Sequence, residues 1–150
     1  MEPLGYEIHV YLERRGRARY AAWLRRAIRQ ALKTHKRRSA MIDVNLVSDR
    51  AIARLNREFL QHAGPTDVIS LNYGHDNSQL VEGEMYISID TARREARRRG
   101  HSVSAEVCLY AIHGTLHLLG YDDRDPADAQ RMHAKEDELL KELGLGAVYG

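Results

Sequence analysis

Ala111-Ile-His-Gly-Thr-Leu-His-Leu-Leu-Gly-Tyr-Asp-Asp123 is the stretch that decides how this chain is read. His113 and His117 stand four residues apart in a run that reads as helix. Four residues climb about 6 Å and come back to nearly the same side of the cylinder, so both imidazoles face one point. Gly120 follows, where a helix stops cheaply in the left-handed conformation. The chain then turns back and brings Asp122 or Asp123 toward the rings. Two imidazoles and a carboxylate make a three-ligand set with room for water, the arrangement of a catalytic zinc-type site carried on a helix. Ala105, Cys108, Leu109, Ile112, Leu116 and Leu119 form one apolar stripe, with His113, His117 and, two turns earlier, Glu106 along its edge. Ligands at such a border are half held by packing and half open to solvent, and a metal site is preferred over a chance pair of histidines. The residue after His113 is Gly114, so the glutamate base of His-Glu-x-x-His peptidases is missing.

The 150 residues are expected to form one domain, 1–150, with 43% hydrophobic and 29% charged residues. No apolar run reaches the length of a membrane span, and the opening Met-Glu-Pro-Leu-Gly has no signal-peptide pattern. Cys108 is the single cysteine, which excludes an internal disulfide and points to the cytoplasm. Net charge is only +2, but arginine and lysine crowd residues 14–38 and 93–99. Guanidinium groups bond phosphate oxygens bidentately, so two such runs beside a metal site point toward RNA or DNA.

Alternating β-branched and aromatic residues predict strands over Tyr6–Leu12 and Met41–Val47, a short strand ending at Leu71, and a fourth over Glu84–Ile89. Helices are predicted from Arg17 to about Lys33 and from Ser48 to about Gln61. A short basic helix is capped by Asp90 and stopped by Gly100. The histidine helix starts at Ser102 or Ser104, and a last helix, with Asp125 as cap and Pro126 in its first turn, runs to about Leu143. Residues 72–83 read as a polar loop bordering a site. The fold expected is α/β (α+β): a three-layer αβα unit with a small mixed four-stranded sheet and helices on both faces, the third and fourth strands being able to pair antiparallel.

The order of motifs from about Met41 to Asp123 resembles the YbeY family of metal-dependent bacterial endoribonucleases of ribosomal RNA maturation. Its carriers are Leu55-Asn56 with Phe59, Pro65-Thr-Asp-Val-Ile-Ser70, Gly83-Glu-Met-Tyr-Ile-Ser88, Gly100-His-Ser102, Glu106, and His113-Gly-Thr-Leu-His-Leu-Leu-Gly-Tyr-Asp122. The resemblance implies an αβα fold, a zinc-like ion, and single-stranded RNA in a basic groove. The chain departs from the family pattern at three places: Asp123 stands for a third histidine, Leu60 for an arginine, and Glu84 for an aspartate. An aspartate ligand is shorter and anionic, makes bound water less acidic than a third imidazole does, and favours a harder ion.

On this reading His113, His117 and Asp123 hold one divalent ion, with zinc expected and manganese or nickel as alternatives. Arg57, one helical turn before the missing arginine, replaces it as a phosphate contact, and Glu106 either orients a ligand or is a solvent-facing helix carboxylate. Thr66 and Tyr121 are candidate substrate contacts, Thr66 shaping a turn and Tyr121 stacking on a base or closing the core. His133 reads as a surface residue of the last helix. RNA, with the ribosome or its proteins, is the expected partner, and a monomer without membrane attachment is expected. The rival readings are an RNA- or ribosome-binding factor with weak or lost catalysis, and a metallopeptidase.

Overall fold

A computed structural model describes residues 5–13, 18–74 and 79–146. Among them the chain runs β1 (Gly5–Leu12), α1 (Ala18–Thr34), β2 (Ser39–Val47), α2 (Asp49–Leu60), β3 (Val68–Asn72), β4 (Leu80–Ser88), α3 (Ile89–Arg99), α4 (Val103–Leu118) and α5 (Pro126–Glu142). The strands form one mixed sheet in the order β1-β2-β4-β3, with β1, β2 and β4 parallel and β3 antiparallel to β4. The helical crossovers α1 and α2 allow the parallel pairs, and the helix-free β3–β4 connection allows the antiparallel one.

Period-two alternation sends Ile8, Ile42, Val44, Leu46, Met85 and Ile87 to one face, and all are buried there against α1 and α4. Val68 and Ser70 of β3 share that face; Ser70 Oγ donates to the Gly114 carbonyl of α4 at 3.1 Å. Ile69 points the other way and is still 2% exposed. On that side α2, with Ile52 fully buried, packs against β4 and α3 and supplies the second helical layer.

The sequence predicts a single stripe on α4, but the helix is buried nearly all round, Val107, Tyr110 and Ala111 included. The reason is its position: the sheet lies on one side and α1, α3 and α5 on the others. An apolar helix enclosed in this way is a central element rather than a surface one.

The boundaries differ from the sequence reading at two places. β4 begins at Leu80, inside the stretch read as loop. Its alternation is masked by Gly83, where an added Cβ would lie 2.7 Å from a Leu118 methyl group of α4 and 2.8 Å from the Leu71 carbonyl oxygen of β3, so glycine accommodates the close approach of both. Ser88, not Asp90, caps α3, its hydroxyl accepting from the Thr91 amide at 3.1 Å. Asp125 and Pro126 start α5 as read, Ser102 caps α4, and Gly120 takes φ 99° just beyond it. Arg14, Arg15 and Arg17 of the first basic run lie outside the described residues.

Candidate metal centre

The last turns of α4 carry His113 and His117, and the turn that Gly120 permits returns Asp123 to them. The two Nε2 atoms are 3.1 Å apart, and Asp123 Oδ2 lies 3.6 Å from the first and 3.7 Å from the second. An ion bound tetrahedrally at about 2.0–2.1 Å has ligand–ligand edges near about 3.3 Å, so the three donors already occupy corners of that figure. Among the described residues they are the one group of histidine, cysteine and acidic side chains that meets metal-ligand spacing.

Each ring is held from behind. His113 Nδ1 lies 2.8 Å from Glu136 Oε2, and His117 Nδ1 lies 3.0 Å from the Tyr121 carbonyl. A carboxylate and a carbonyl only accept, so both Nδ1 atoms donate, and in the neutral rings both Nε2 atoms present lone pairs. Two lone pairs and a carboxylate oxygen therefore converge on one point. Such a cluster is repulsive until a cation or a second ring proton enters it, so the donors fit a divalent metal. Burial by itself pulls His113 toward the neutral form. The Glu136 hydrogen bond and the charges of Glu136, Asp67 and Asp123 outweigh it and hold the ring above its ordinary pKa.

Two cavities meet at the donors. One of about 460 Å³ is lined by Leu60, Val68, Ser70 and Arg124 together with His113, His117 and Asp123. The other, of about 280 Å³, is lined by Asp67, Arg99, Tyr110, His133 and Glu136 with His113 and Asp123.

The structure separates the alternatives that the sequence leaves open. Asp122 accepts the Asp123 and Arg124 amides at 2.8 and 3.2 Å, a side-chain turn, while Asp123 faces the rings. Arg57 is exposed on α2 and does not line the cleft, whereas Leu60 and Arg124 do. Glu106 is fully buried, and its Oε1 is taken by His101 and by Arg99, the latter at 3.2 Å, so it anchors α3 to α4 rather than orienting a metal ligand. Burial, with the neighbouring Glu106 carboxylate, pushes the Tyr110 phenol strongly upward. Thr66 Oγ1 donates to the carboxylate of its neighbour Asp67 at 3.4 Å, consistent with turn formation. The Tyr121 hydroxyl is bonded to His35 Nε2 at 2.8 Å and the rings meet edge-on, so Tyr121 closes the core and is not free to stack on a base. His133, read as a surface residue, is half-buried and lines the smaller cavity. Glu136 was not singled out from the sequence. Its signal is a carboxylate inside the stripe Met132, Leu139, Leu140, all 0% exposed. In the second basic run, Arg94 pairs with Asp49 at 2.5 Å and Arg98 with Glu95 at 2.6 Å, so part of its charge is matched within the protein.

Comparison with known proteins gives a consistent result. The family model described as Endoribonuclease YbeY matches residues 10–144. A protein of Chlorobium phaeovibrioides with that name is 39% identical over 130 residues, covering 87% of this chain and 86% of the relative. One from Anaeromyxobacter dehalogenans is 44% identical over 133 residues, covering 88% of this chain but 65% of the longer relative. The solution structure of a Thermotoga maritima protein shares the fold, with TM-score 0.60, 24% identity and 91% of each chain covered.

Proposed function

As the chain belongs to the endoribonuclease YbeY family, we propose that it is a metal-dependent endoribonuclease of a single domain that cleaves single-stranded RNA in ribosomal RNA maturation and ribosome quality control. The observation that carries the metal chemistry is the meeting of His113 Nε2, His117 Nε2 and Asp123 Oδ2 at the mouth of an open cleft. His113, His117 and Asp123 hold one divalent ion, for which zinc is the first choice and manganese or nickel the alternatives. The bound ion supplies Lewis-acid polarisation of a phosphoryl oxygen and lowers the pKa of water from about 15.7 toward about 7 to 9.

The protein's own groups do the rest. Glu136 and the Tyr121 carbonyl hold the rings with Nε2 forward. Arg124 on the cleft wall, with Arg57 further along α2, meets the phosphates of the RNA strand. Leu60, 46% exposed at the same wall, offers an apolar surface to a base where the family pattern has an arginine. No described helix is long and apolar enough to cross a membrane, and we place the protein in the cytoplasm with the ribosome as its site of action.

The test is cleavage of a single-stranded RNA by the purified protein with zinc or manganese, beside a His113→Ala control. Metal-dependent cleavage lost in the control supports the reading. Equal cleavage by both proteins removes it, and tight RNA binding without cleavage by the parent protein favours a binding factor whose catalysis was lost with the Leu60 and Asp123 changes.

A further inference from the structure

We infer that Glu136 is the positioning residue of the metal centre: it sets the tautomer and plane of His113 and adds a negative charge behind it. The inference rests on the metal reading above and adds a residue from α5 to the site. Glu136 is 0% exposed and sits four residues after Met132 and three or four before Leu139 and Leu140, all at 0%. Three of its helical neighbours, Met132, Leu139 and Leu140, are apolar and fully buried, and the fourth, His133, is half-buried at the smaller cavity, so leucine suits the buried side of this stripe. A carboxylate in such a place is costly unless it is bonded and its charge is matched. One oxygen, Oε2, receives the His113 Nδ1 proton at 2.8 Å, and the other, Oε1, has no hydrogen-bond partner. The charge is therefore only half answered by the ring, and a cation on the far nitrogen of the same ring completes the match through the imidazole.

The two ligands differ in this respect. His117 is backed by a neutral carbonyl, Tyr121 O, at 3.0 Å. His113 is backed by a full charge, which makes it the stronger donor of the pair. Glutamine at position 136 keeps an oxygen for Nδ1 and loses the charge. Leucine loses both and suits the stripe.

The experiment measures zinc affinity by competition with a chromophoric chelator, and the unfolding midpoint of the metal-free protein, for the parent, Glu136→Gln, Glu136→Leu and His113→Ala. The expected result is zinc binding weakened about 10- to 100-fold in Glu136→Leu and less in Glu136→Gln, with the metal-free midpoint of Glu136→Leu unchanged or higher. Parent-like zinc affinity in Glu136→Leu, beside a His113→Ala protein that has lost it, overturns the positioning role and leaves the metal centre standing. Equal zinc affinity in the parent and His113→Ala overturns both. If Glu136→Leu does not fold, Glu136→Gln decides: unchanged zinc affinity with a lowered metal-free midpoint makes Glu136 a structural residue and overturns the inference.

Discussion

Gly114 lies so close to Met85 that a Cβ added to the glycine would stand 2.5 Å from the methionine sulfur and 3.4 Å from a Val68 methyl group. This contact is where α4 seats on β3 and β4, and it explains why the helix carries no acidic residue between its metal-ligating histidines at that position. The position after His113 faces the sheet rather than the cleft. A peptidase-type glutamate has no room there, which argues against the metallopeptidase reading on steric grounds. Replacing Gly114 by alanine forces the fully buried Met85 aside and is expected to cost about 1–3 kcal/mol, read as a lowered urea midpoint. Zinc affinity is expected to fall as well, because His113 moves with the helix.

Electrostatics at the cleft wall give a second expectation. Arg124 lines the cleft, with its side chain 90% exposed, and Arg57 does not line it. Arg124→Ala is expected to weaken RNA binding and to reduce the slope of log affinity against log salt by about one phosphate contact, with Arg57→Ala having the smaller effect. Leu60→Arg places a new cation beside the ligands and is expected to tighten binding at low salt. The measurement is a fluorescence titration of a short single-stranded RNA at several salt concentrations.

Proton balance at His113 gives a third. Its pKa is raised in the metal-free fold, so this group's contribution to stability is fully present below about 6.5 and is lost as pH rises through the raised value. Metal binding needs the deprotonated Nε2 and runs the opposite way, strengthening as pH rises. Zinc uptake near pH 6.5 is expected to release a proton, seen by calorimetry in buffers of different ionisation enthalpy. No buffer dependence would contradict the protonated, metal-free His113.

Tyr121→Phe removes the bond to His35 and keeps the backbone carbonyl that holds His117. A loss of about 1 kcal/mol in stability with RNA affinity unchanged is expected. A large loss of RNA affinity at unchanged stability would return Tyr121 to base stacking.

Much of this was legible in the sequence because the decisive contacts are local. His113, His117 and Gly120 belong to one helix and its stop, and spacing alone aims both rings at one point. Ser102, Asp125 and Pro126 are likewise local signals, and they mark helix starts where the structure has them. What spacing does not carry is contact between distant segments. Glu136 reaches His113 from another helix, His35 reaches Tyr121 across 86 residues, and Gly83 has both Leu118 and the Leu71 carbonyl where a Cβ would stand. Glu106 shares a helix edge with His113, yet the turn at Gly100 brings His101 and Arg99 to its carboxylate first.

The proposed metal centre depends on Asp123 completing a three-donor site with His113 and His117. The most direct measurement is the metal content of freshly purified parent and Asp123→Ala proteins by elemental analysis, with circular dichroism to show that both are folded. About one transition-metal ion per chain in the parent, and its loss in Asp123→Ala, is the predicted result. A folded Asp123→Ala protein that keeps the full complement contradicts it.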